Sequence, residues 1–155
     1  MSVRLSEEEA WALLAASHTG IVTTLRRDGW PVSLPVWFAV EGRAIYFRTP
    51  AKTKKVARLR RDDRVSFLVE GGLAWKELRA VVVTGRGRIL EPGDETQRAL
   101  DAIHAKYGRF RSERADMPER TRRYYADAFV VIRIDPVQPF LTWDNARLRL
   151  RSDAA

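Results

Sequence analysis

The sequence predicts a mainly β protein with flanking helices, an antiparallel barrel formed as a single domain over residues 1–155. About six segments have strand-like patterns, and tight turns rather than long helices join most of them. Apolar and polar side chains alternate along these segments, which is inconsistent with a parallel doubly wound sheet and its continuously apolar strands. The chain has 155 residues, 45% of them apolar, which is enough for one independent core.

The chain begins with a predicted helix. Ser6 and Glu9 have the spacing of a capping box, in which each side chain accepts a hydrogen bond from the other residue's backbone. The helical pattern fades by residue 17. His18, beside this helix end, is interpreted as a structural histidine.

A β-hairpin is predicted next. Residues 21–25 form its first strand, and Arg27-Asp28-Gly29 is a strong turn signal. Because Pro31 and Pro35 lack the N–H that a sheet requires, we expect the return strand to be exposed along part of one edge. One face of that strand is expected to contain Val32, Leu34, Val36, Phe38 and Val40.

The other elements follow from similar patterns. Thr49 and Pro50 are interpreted as the N-cap and first residue of the second helix. Gly85 and Gly87 indicate a bulge or a bend in a long strand. Further strands are expected over residues 44–48, 64–70, 78–90 and 128–134, with an extended apolar tail at 140–144. Further helices are expected to end near residue 61 and to span residues 94–107 and 118–125.

Composition excludes several classes of site. The absence of cysteine excludes disulfides and thiolate metal sites, and the two histidines lack metal-ligand spacing, so no metal is expected. No apolar stretch approaches the roughly 18–20 residues that cross a bilayer, and the N-terminus lacks the apolar segment of a signal peptide. A cytoplasmic protein is therefore predicted. The net charge of +8 favours an anionic partner but does not distinguish nucleic acid, lipid and phosphorylated small molecules.

Three of the five lysines fall within eight residues, Arg48-Thr49-Pro50-Ala51-Lys52-Thr53-Lys54-Lys55. This segment runs from the end of a predicted strand into the start of a helix. Cations are unfavourable there, because free N–H groups and the positive end of the helix dipole already lie at that position. A bound anion removes this cost, so the segment is interpreted as a phosphate site. Neither of the common glycine-rich phosphate motifs is present.

Several short motifs occur together in a specific order. They are Thr19-Gly20, Arg27-Asp28-Gly29-Trp30-Pro31, Val36-Trp37-Phe38, the segments 45–49, 51–55 and 59–70, and Gly85. Over roughly residues 6–145 the chain resembles the split β-barrel flavoproteins of the pyridoxamine 5′-phosphate oxidase-like superfamily. It looks closest to the flavin/deazaflavin branch that includes coenzyme F420-dependent enzymes.

The resemblance implies a six-stranded antiparallel split β-barrel, the FMN-binding split barrel, which forms a homodimer with cofactor sites at the interface. The cofactor is FMN or the deazaflavin F420. By position, its phosphate is held by Arg48, Thr49, Lys52, Thr53, Lys54 and Lys55. Its ring lies along Ser33, Leu34, Pro35, Val36 and Trp37. Trp143, in the tail, is either near the ring or a dimer contact, and Arg58, Arg26 or Arg27 can supply further cations.

The chain also departs from the true oxidases, because Ala80 follows Arg79 where they carry a polar residue, and their C-terminal Arg/His motif is absent. The expected function is hydride transfer to or from a small conjugated or unsaturated substrate, with the chemistry supplied by the cofactor. No catalytic side chain is identified. One alternative is a non-catalytic flavin- or heme-binding protein, with His18 and His104 as the candidate heme ligands. The other is a nucleic-acid binder that uses segments 109–111 and 122–125.

Overall fold

The computed structural model describes residues 2–148. Within this range it has four α-helices, and they are α1 (Glu7–Ala16), α2 (Lys54–Arg61), α3 (Asp94–Tyr107) and α4 (Glu119–Tyr124). The same range has eight strands, and they are β1 (Gly20–Leu25), β2 (Pro31–Val36), β3 (Phe38–Glu41), β4 (Ala44–Pro50), β5 (Arg64–Gly71), β6 (Arg79–Ile89), β7 (Phe129–Pro136) and β8 (Leu141–Asp144). No helix in this range is long and apolar enough to cross a membrane.

All paired strands are antiparallel, in the order β2-β1-β5-β6-β7-β4-β3, with β8 added beside β6. The strands at the two ends of this order, β2 and β3, are consecutive in sequence and separated only by Trp37. The sheet therefore curls until β2 and β3 meet at Trp37, but these two strands do not pair with each other, so the barrel is split and the outer edge of β2 has no strand neighbour in the described range. This confirms the predicted antiparallel barrel with flanking helices.

The strand count is eight rather than six for two reasons. The predicted return strand divides at Trp37, because its first half pairs with β1 and its second half with β4. The predicted apolar tail forms β8, which pairs with residues 79–82 of β6, whereas β7 pairs with residues 85–89. The division also breaks the predicted buried face, since Leu34 is 38% exposed while Phe38 is fully buried.

The start of the second helix was placed wrongly. Thr49 and Pro50 end β4, where they pair with Val130 and Phe129, and Thr53 is the N-cap of α2. Pro50 is tolerated because it stands at the last position of the strand, where a missing N–H costs least. Val56 and Leu59 form the apolar stripe of α2, and both are buried.

The two glycines of β6 do not form a bulge, since β6 pairs with β5 and β7 without an extra residue. They instead permit close approach. A Cβ on Gly85 would lie 2.7 Å from the carbonyl oxygen of Asp135, and one on Gly87 would lie 3.0 Å from Leu59 Cδ2. The second contact seats α2 against β6, and the helix also packs on β1.

The core fills the barrel and extends under the helices. Phe38, Phe47 and Phe67 are fully buried at its centre, together with Leu14 of α1, whose predicted capping box is confirmed. Helix α3 packs on β3 and β4 and buries Tyr107 completely. A buried aliphatic or aromatic side chain contributes about 1.5–3 kcal/mol, so this core can hold the outer strand β2 in a defined position.

Candidate cofactor-binding site

A groove of about 680 Å³ opens between the start of α2, the outer strand β2 and the segment from α4 to β7. It joins the predicted phosphate segment to the predicted ring segment. The predicted residues that line it are Leu34, Pro35, Val36, Trp37, Arg48, Thr49, Lys52, Thr53, Lys54 and Lys55. These two segments are separated in sequence and meet because β2 and β4 lie on either side of the point where the barrel closes.

Six cationic side chains line the groove, and within residues 2–148 no carboxylate lines it with them. They are Arg26, Arg48, Lys52, Lys54, Lys55 and Arg58. Lys52 is ion-paired with Asp127. None of the other five cations has a carboxylate partner in the described range, so most of the positive charge is available to a ligand.

Arg58 is the most constrained of these cations. It is 9% exposed, and its Nε donates a 2.8 Å hydrogen bond to Thr24 Oγ1, which is itself buried. Its two Nη groups have no hydrogen-bond partner in the described part of the chain. A guanidinium that is fixed through one nitrogen and has others free is preorganised to bind an anion.

The cations also destabilise one another. Burial lowers the pKa of Lys55, and the nearby charge of Arg58 lowers it further. Burial lowers the pKa of Arg58 as well, with a further contribution from Arg26. The pKa of Arg48 is lowered by burial and then by Arg111. An anion in the groove would relieve both the desolvation and the repulsion.

The start of α2 adds neutral donors. Thr53 Oγ1 accepts from the Val56 N–H at 3.5 Å and lies 3.4 Å from Thr49 Oγ1. Lys54 and Lys55 occupy the first helical turn, which contains no acidic residue. Free helix N–H groups, threonine hydroxyls and lysines at one helix end form an arrangement that binds phosphate.

Aromatic residues form a wall of the groove that the sequence motifs do not identify. The Arg48 guanidinium lies 3.7 Å from the ring centroid of Phe129, and Tyr125 stacks parallel to Phe129 with centroids 6.3 Å apart. The Lys52 ammonium lies 5.3 Å from the Tyr124 ring. The one sequence signal was the adjacent pair Tyr124-Tyr125, which appeared above as part of a nucleic-acid-binding alternative.

The predicted ring segment lies at an unpaired strand edge. Strand β2 pairs with β1 on one side and has no strand neighbour on the other among the described residues. Trp37 is 36% exposed at the end of this edge, and its ring stacks on Tyr107 with centroids 4.6 Å apart. His18 contacts Trp37, Tyr107 and Phe110 edge-on. This packing fixes Trp37 as a rigid wall of the groove.

Tyr107 connects this aromatic cluster to the backbone, and its replacement by phenylalanine is expected to destabilise the fold by about 1–3 kcal/mol. Its hydroxyl accepts a hydrogen bond from the Phe38 N–H at 2.9 Å and donates one to the His18 carbonyl oxygen at 2.7 Å. In the phenylalanine variant, the Phe38 N–H and the His18 carbonyl oxygen both lose the Tyr107 hydroxyl as a partner. Chemical denaturation should show the loss, whereas Tyr124→Phe, at an exposed hydroxyl, should change stability little. Equal stability of the two variants would contradict this role.

Lys106 gives the fold a pH dependence. Its ammonium has no hydrogen-bond partner in the described range and lies 4.0 Å from the Phe38 ring centroid, and burial lowers its pKa to about 8. The unfolded chain binds this proton up to roughly pH 10.4, so it carries more protons than the folded chain above pH 8. Stability should therefore rise from pH 8 to about 9.5.

The variant Lys106→Met should lose this rise and be more stable than the parent at pH 7. The measurement stops at about pH 9.5 because Tyr46 and Tyr107 have raised pKa values. At higher pH these two tyrosines would lower the stability as the pH rises. Denaturant titrations across the pH range measure the effect. Arg98→Met removes an exposed charge from the same helix and should keep the parent's pH profile.

Two predicted residues do not line the groove of this chain. Ser33 lies on β2, but its hydroxyl is 2.8 Å from Thr23 Oγ1 on β1. Trp143 lies on β8, paired with Ala80 and half-buried. Of the additional cations considered, Arg26 and Arg58 line the groove and Arg27 does not. Within residues 2–148 no cluster of three or more acidic, histidine or cysteine side chains is arranged to hold a metal.

Comparisons with known proteins agree with this fold. The pyridoxamine 5′-phosphate oxidase family model matches residues 6–139. A conserved hypothetical protein from Mycobacterium tuberculosis is 27% identical, with a TM-score of 0.78, over 99% of this chain and 97% of that one. Among curated proteins, no sequence matches.

More distant solved structures share the fold. A protein named F420 reductase is 22% identical, with a TM-score of 0.64, over 88% of this chain and 98% of that one. An FAD-binding protein from Mycobacterium smegmatis is 22% identical, with a TM-score of 0.61, over 91% of this chain and 98% of that one. Since the family model covers most of the sequence, the chain belongs to the pyridoxamine 5′-phosphate oxidase-like family of split β-barrel proteins.

Proposed function

We propose that the protein is an oxidoreductase that binds a flavin or deazaflavin phosphate, with F420 and FMN as the candidates. It would transfer a hydride to or from a small conjugated or unsaturated substrate. One observation carries the proposal: among the described residues, a groove lined by six cations and no carboxylate meets the unpaired edge of β2. Arg58 is buried and Lys55 half-buried, and neither has a carboxylate partner within residues 2–148, so both fit an anionic group and are unfavourable without one.

In this proposal each part of the groove has a separate task. The start of α2 and Arg48 neutralise the phosphate, and the outer edge of β2 offers backbone groups to the ring. Trp37, held by Tyr107, limits where the ring can lie. When bound, the cofactor supplies the hydride chemistry, so the chain needs to orient it and leave one ring face open to the substrate.

The proposal is tested by purifying the protein from a host that makes F420. Absorbance and mass spectrometry should identify a flavin or deazaflavin bound to it. The reduced cofactor should then be oxidised by a conjugated acceptor faster with the protein than without it. Binding without turnover would favour a carrier. Absence of binding by FMN, FAD and F420 would remove the proposal.

We also infer that two copies assemble around the groove. Large apolar side chains are exposed on the single chain, including Trp30 at 69% and Leu141 at 63%. Covering them in a dimer would bring Trp143 of one copy toward the groove of the other. Light scattering after size exclusion should give the mass of two chains, and a monomer at micromolar concentration would contradict this inference.

A further inference from the structure

The groove is cationic at one end of β2 and aromatic at the other. At the start of β2, Val32 pairs with Thr24, whose hydroxyl binds Arg58. At the other end, Trp37 lines the groove and stacks on Tyr107. Val32 and Trp37 are roughly 16 Å apart, at about 3.3 Å for each residue of extended chain. A cofactor whose phosphate binds the cationic end therefore extends along β2 toward Trp37, and the substrate must meet the cofactor ring there.

His18 lies at the aromatic end, beside Trp37. It comes just before β1, whose first residue, Gly20, pairs with Val36 at the end of β2. The ring centroids of His18 and Trp37 are 5.9 Å apart, and His18 is exposed. His18 is not one of the residues that line the groove, so it can contact a substrate that extends past the edge of Trp37 without obstructing the cofactor.

The position of His18 is fixed while its ring nitrogens stay free. Its backbone carbonyl oxygen accepts the 2.7 Å hydrogen bond from the Tyr107 hydroxyl. Its ring meets those of Tyr107 and Phe110 edge-on, with centroids 5.3 and 4.8 Å apart. Within the described part of the chain, neither ring nitrogen has a hydrogen-bond partner. An imidazole that is held in place in this way can give a proton to a bound substrate.

Reduction of a conjugated carbonyl compound needs a proton as well as a hydride. When a hydride adds to the β-carbon, the electrons of the C=C bond move toward the carbonyl oxygen, and the α-carbon then takes up a proton. Among the described residues, no carboxylate or histidine lines the groove to give this proton. The two tyrosines of the groove lie beside cations that are assigned to the phosphate. Tyr124 lies beside the Lys52 ammonium. Tyr125 stacks on Phe129, whose ring contacts Arg48.

We propose that His18 is the proton donor to the substrate, and that the substrate is a conjugated carbonyl compound that packs against Trp37. The inference rests on the proposed function, because the hydride must come from the reduced cofactor in the groove. The hydride forms the new C–H bond at the β-carbon of the substrate. The imidazolium of His18 gives its proton to the α-carbon, and the neutral imidazole regains a proton from water. The net change adds one hydride and one proton across the C=C bond.

The test compares two acceptors with the reduced, cofactor-loaded protein. The enone 2-cyclohexenone needs a hydride and a proton, whereas N-methylacridinium takes up a hydride alone. His18→Phe keeps an aromatic ring in the cluster and removes both nitrogens. It should lower kcat for 2-cyclohexenone by about 100-fold, a typical contribution of general acid catalysis, and leave turnover of N-methylacridinium nearly unchanged. The matched control is His104→Phe, at an exposed position outside the groove, which should behave like the parent with both acceptors.

Proton NMR of the oxidised, cofactor-loaded protein gives a readout that does not depend on turnover. The chain has two histidines, so His18→Phe and His104→Phe assign the imidazole signals. Cyclohexanone has the carbonyl group of the enone but no conjugated C=C bond to reduce. It should shift the His18 signals and leave those of His104 in place.

Equal losses with both acceptors in His18→Phe, or His18 signals that do not move with cyclohexanone, would indicate a structural role and overturn the inference. A selective loss of enone turnover in Tyr125→Phe, with normal turnover in His18→Phe, would make Tyr125 the donor and overturn it too. So would a parent that reduces N-methylacridinium but not 2-cyclohexenone. All three outcomes leave the proposed function standing. A parent that reduces neither acceptor would overturn both.

Discussion

Replacing Lys54 and Lys55 together by glutamine is expected to weaken binding of a flavin or deazaflavin phosphate by about 30-fold or more. Both side chains line the groove in the first turn of α2, beside the hydroxyls of Thr49 and Thr53. Hydrogen bonds to charged groups contribute about 1.5–3 kcal/mol each, so losing one fully and the other in part is enough for this change.

The same variant should stabilise the cofactor-free protein. No acidic residue offsets the two lysines in the first turn, and burial and Arg58 already lower the pKa of Lys55. A cation at a helix N-terminus costs about 0.3–1 kcal/mol, and that cost disappears with the charge. The two cations together cost about 0.6–2 kcal/mol, so the melting temperature should rise by roughly 1–8 °C, at about 2–4 °C for each kcal/mol in a chain of this size.

Opposite changes in affinity and stability distinguish a binding site from a structural role. Fluorescence titration gives the affinity, and thermal unfolding without cofactor gives the stability. The matched control is Arg98→Gln/Arg114→Gln, which removes the same charge from exposed residues outside the groove. It should lower affinity by less than about threefold, because exposed charges that do not line the groove are screened by salt. Similar losses in both double variants would show a general charge effect and contradict the phosphate assignment.

The lysine cluster could be predicted because its position on a helix start is a local feature. The exact helix start could not. Thr49 and Thr53 are both acceptable N-caps in the sequence, and Pro50 favours the first of them. The structure uses Thr53 because β4 continues to pair with β7, and because the Ala51 N–H bonds the Ala128 carbonyl oxygen. Those partners lie some 80 residues further along the chain.

The division of the return strand is likewise a tertiary property. Large apolar residues recur at every second position from Val32 to Val40, so no local signal marks Trp37 as the break. The break arises because β1 and β4 lie on different sides of the barrel closure and each takes one half of the strand. The aromatic wall of the groove has the same origin. Tyr125 follows the short helix α4 and Phe129 begins the late strand β7, and only the folded barrel brings them to Arg48.

Gly20→Ala is expected to destabilise the barrel by about 1–3 kcal/mol of unfolding free energy. A Cβ at this position would lie 2.1 Å from Phe67 Cζ. Phe67 is fully buried and its ring is 4.8 Å from that of Phe38, so it cannot move without displacing a second core ring. Alanine would gain about 0.4–1 kcal/mol by restricting the unfolded chain, which is less than the steric cost.

Denaturant unfolding of Gly20→Ala, with Gly108→Ala as control, measures this cost. Gly108 has a helical backbone with φ −50°, and a Cβ there would lie 3.6 Å from the His104 ring, so the control should stay within about 0.5 kcal/mol of the parent. A neutral Gly20→Ala would show that the Phe67 ring has more freedom than its packing indicates. It would also remove the reason for a glycine at the start of β1.

A double-mutant cycle with Phe67→Leu identifies the cause of the destabilisation. Leucine lacks the ring atoms that meet the new Cβ, so Gly20→Ala should cost markedly less in the Phe67→Leu background than in the parent. Additive effects would instead indicate that the methyl group disturbs backbone pairing with Val36 on β2. That distinction bears on the site, because Val36 and Trp37 line the groove, and a shifted β2 would also weaken cofactor binding. If the two effects are additive, Gly20→Ala should lower cofactor affinity as well as stability. If Phe67→Leu relieves the cost, β2 stays in place and cofactor affinity should not change.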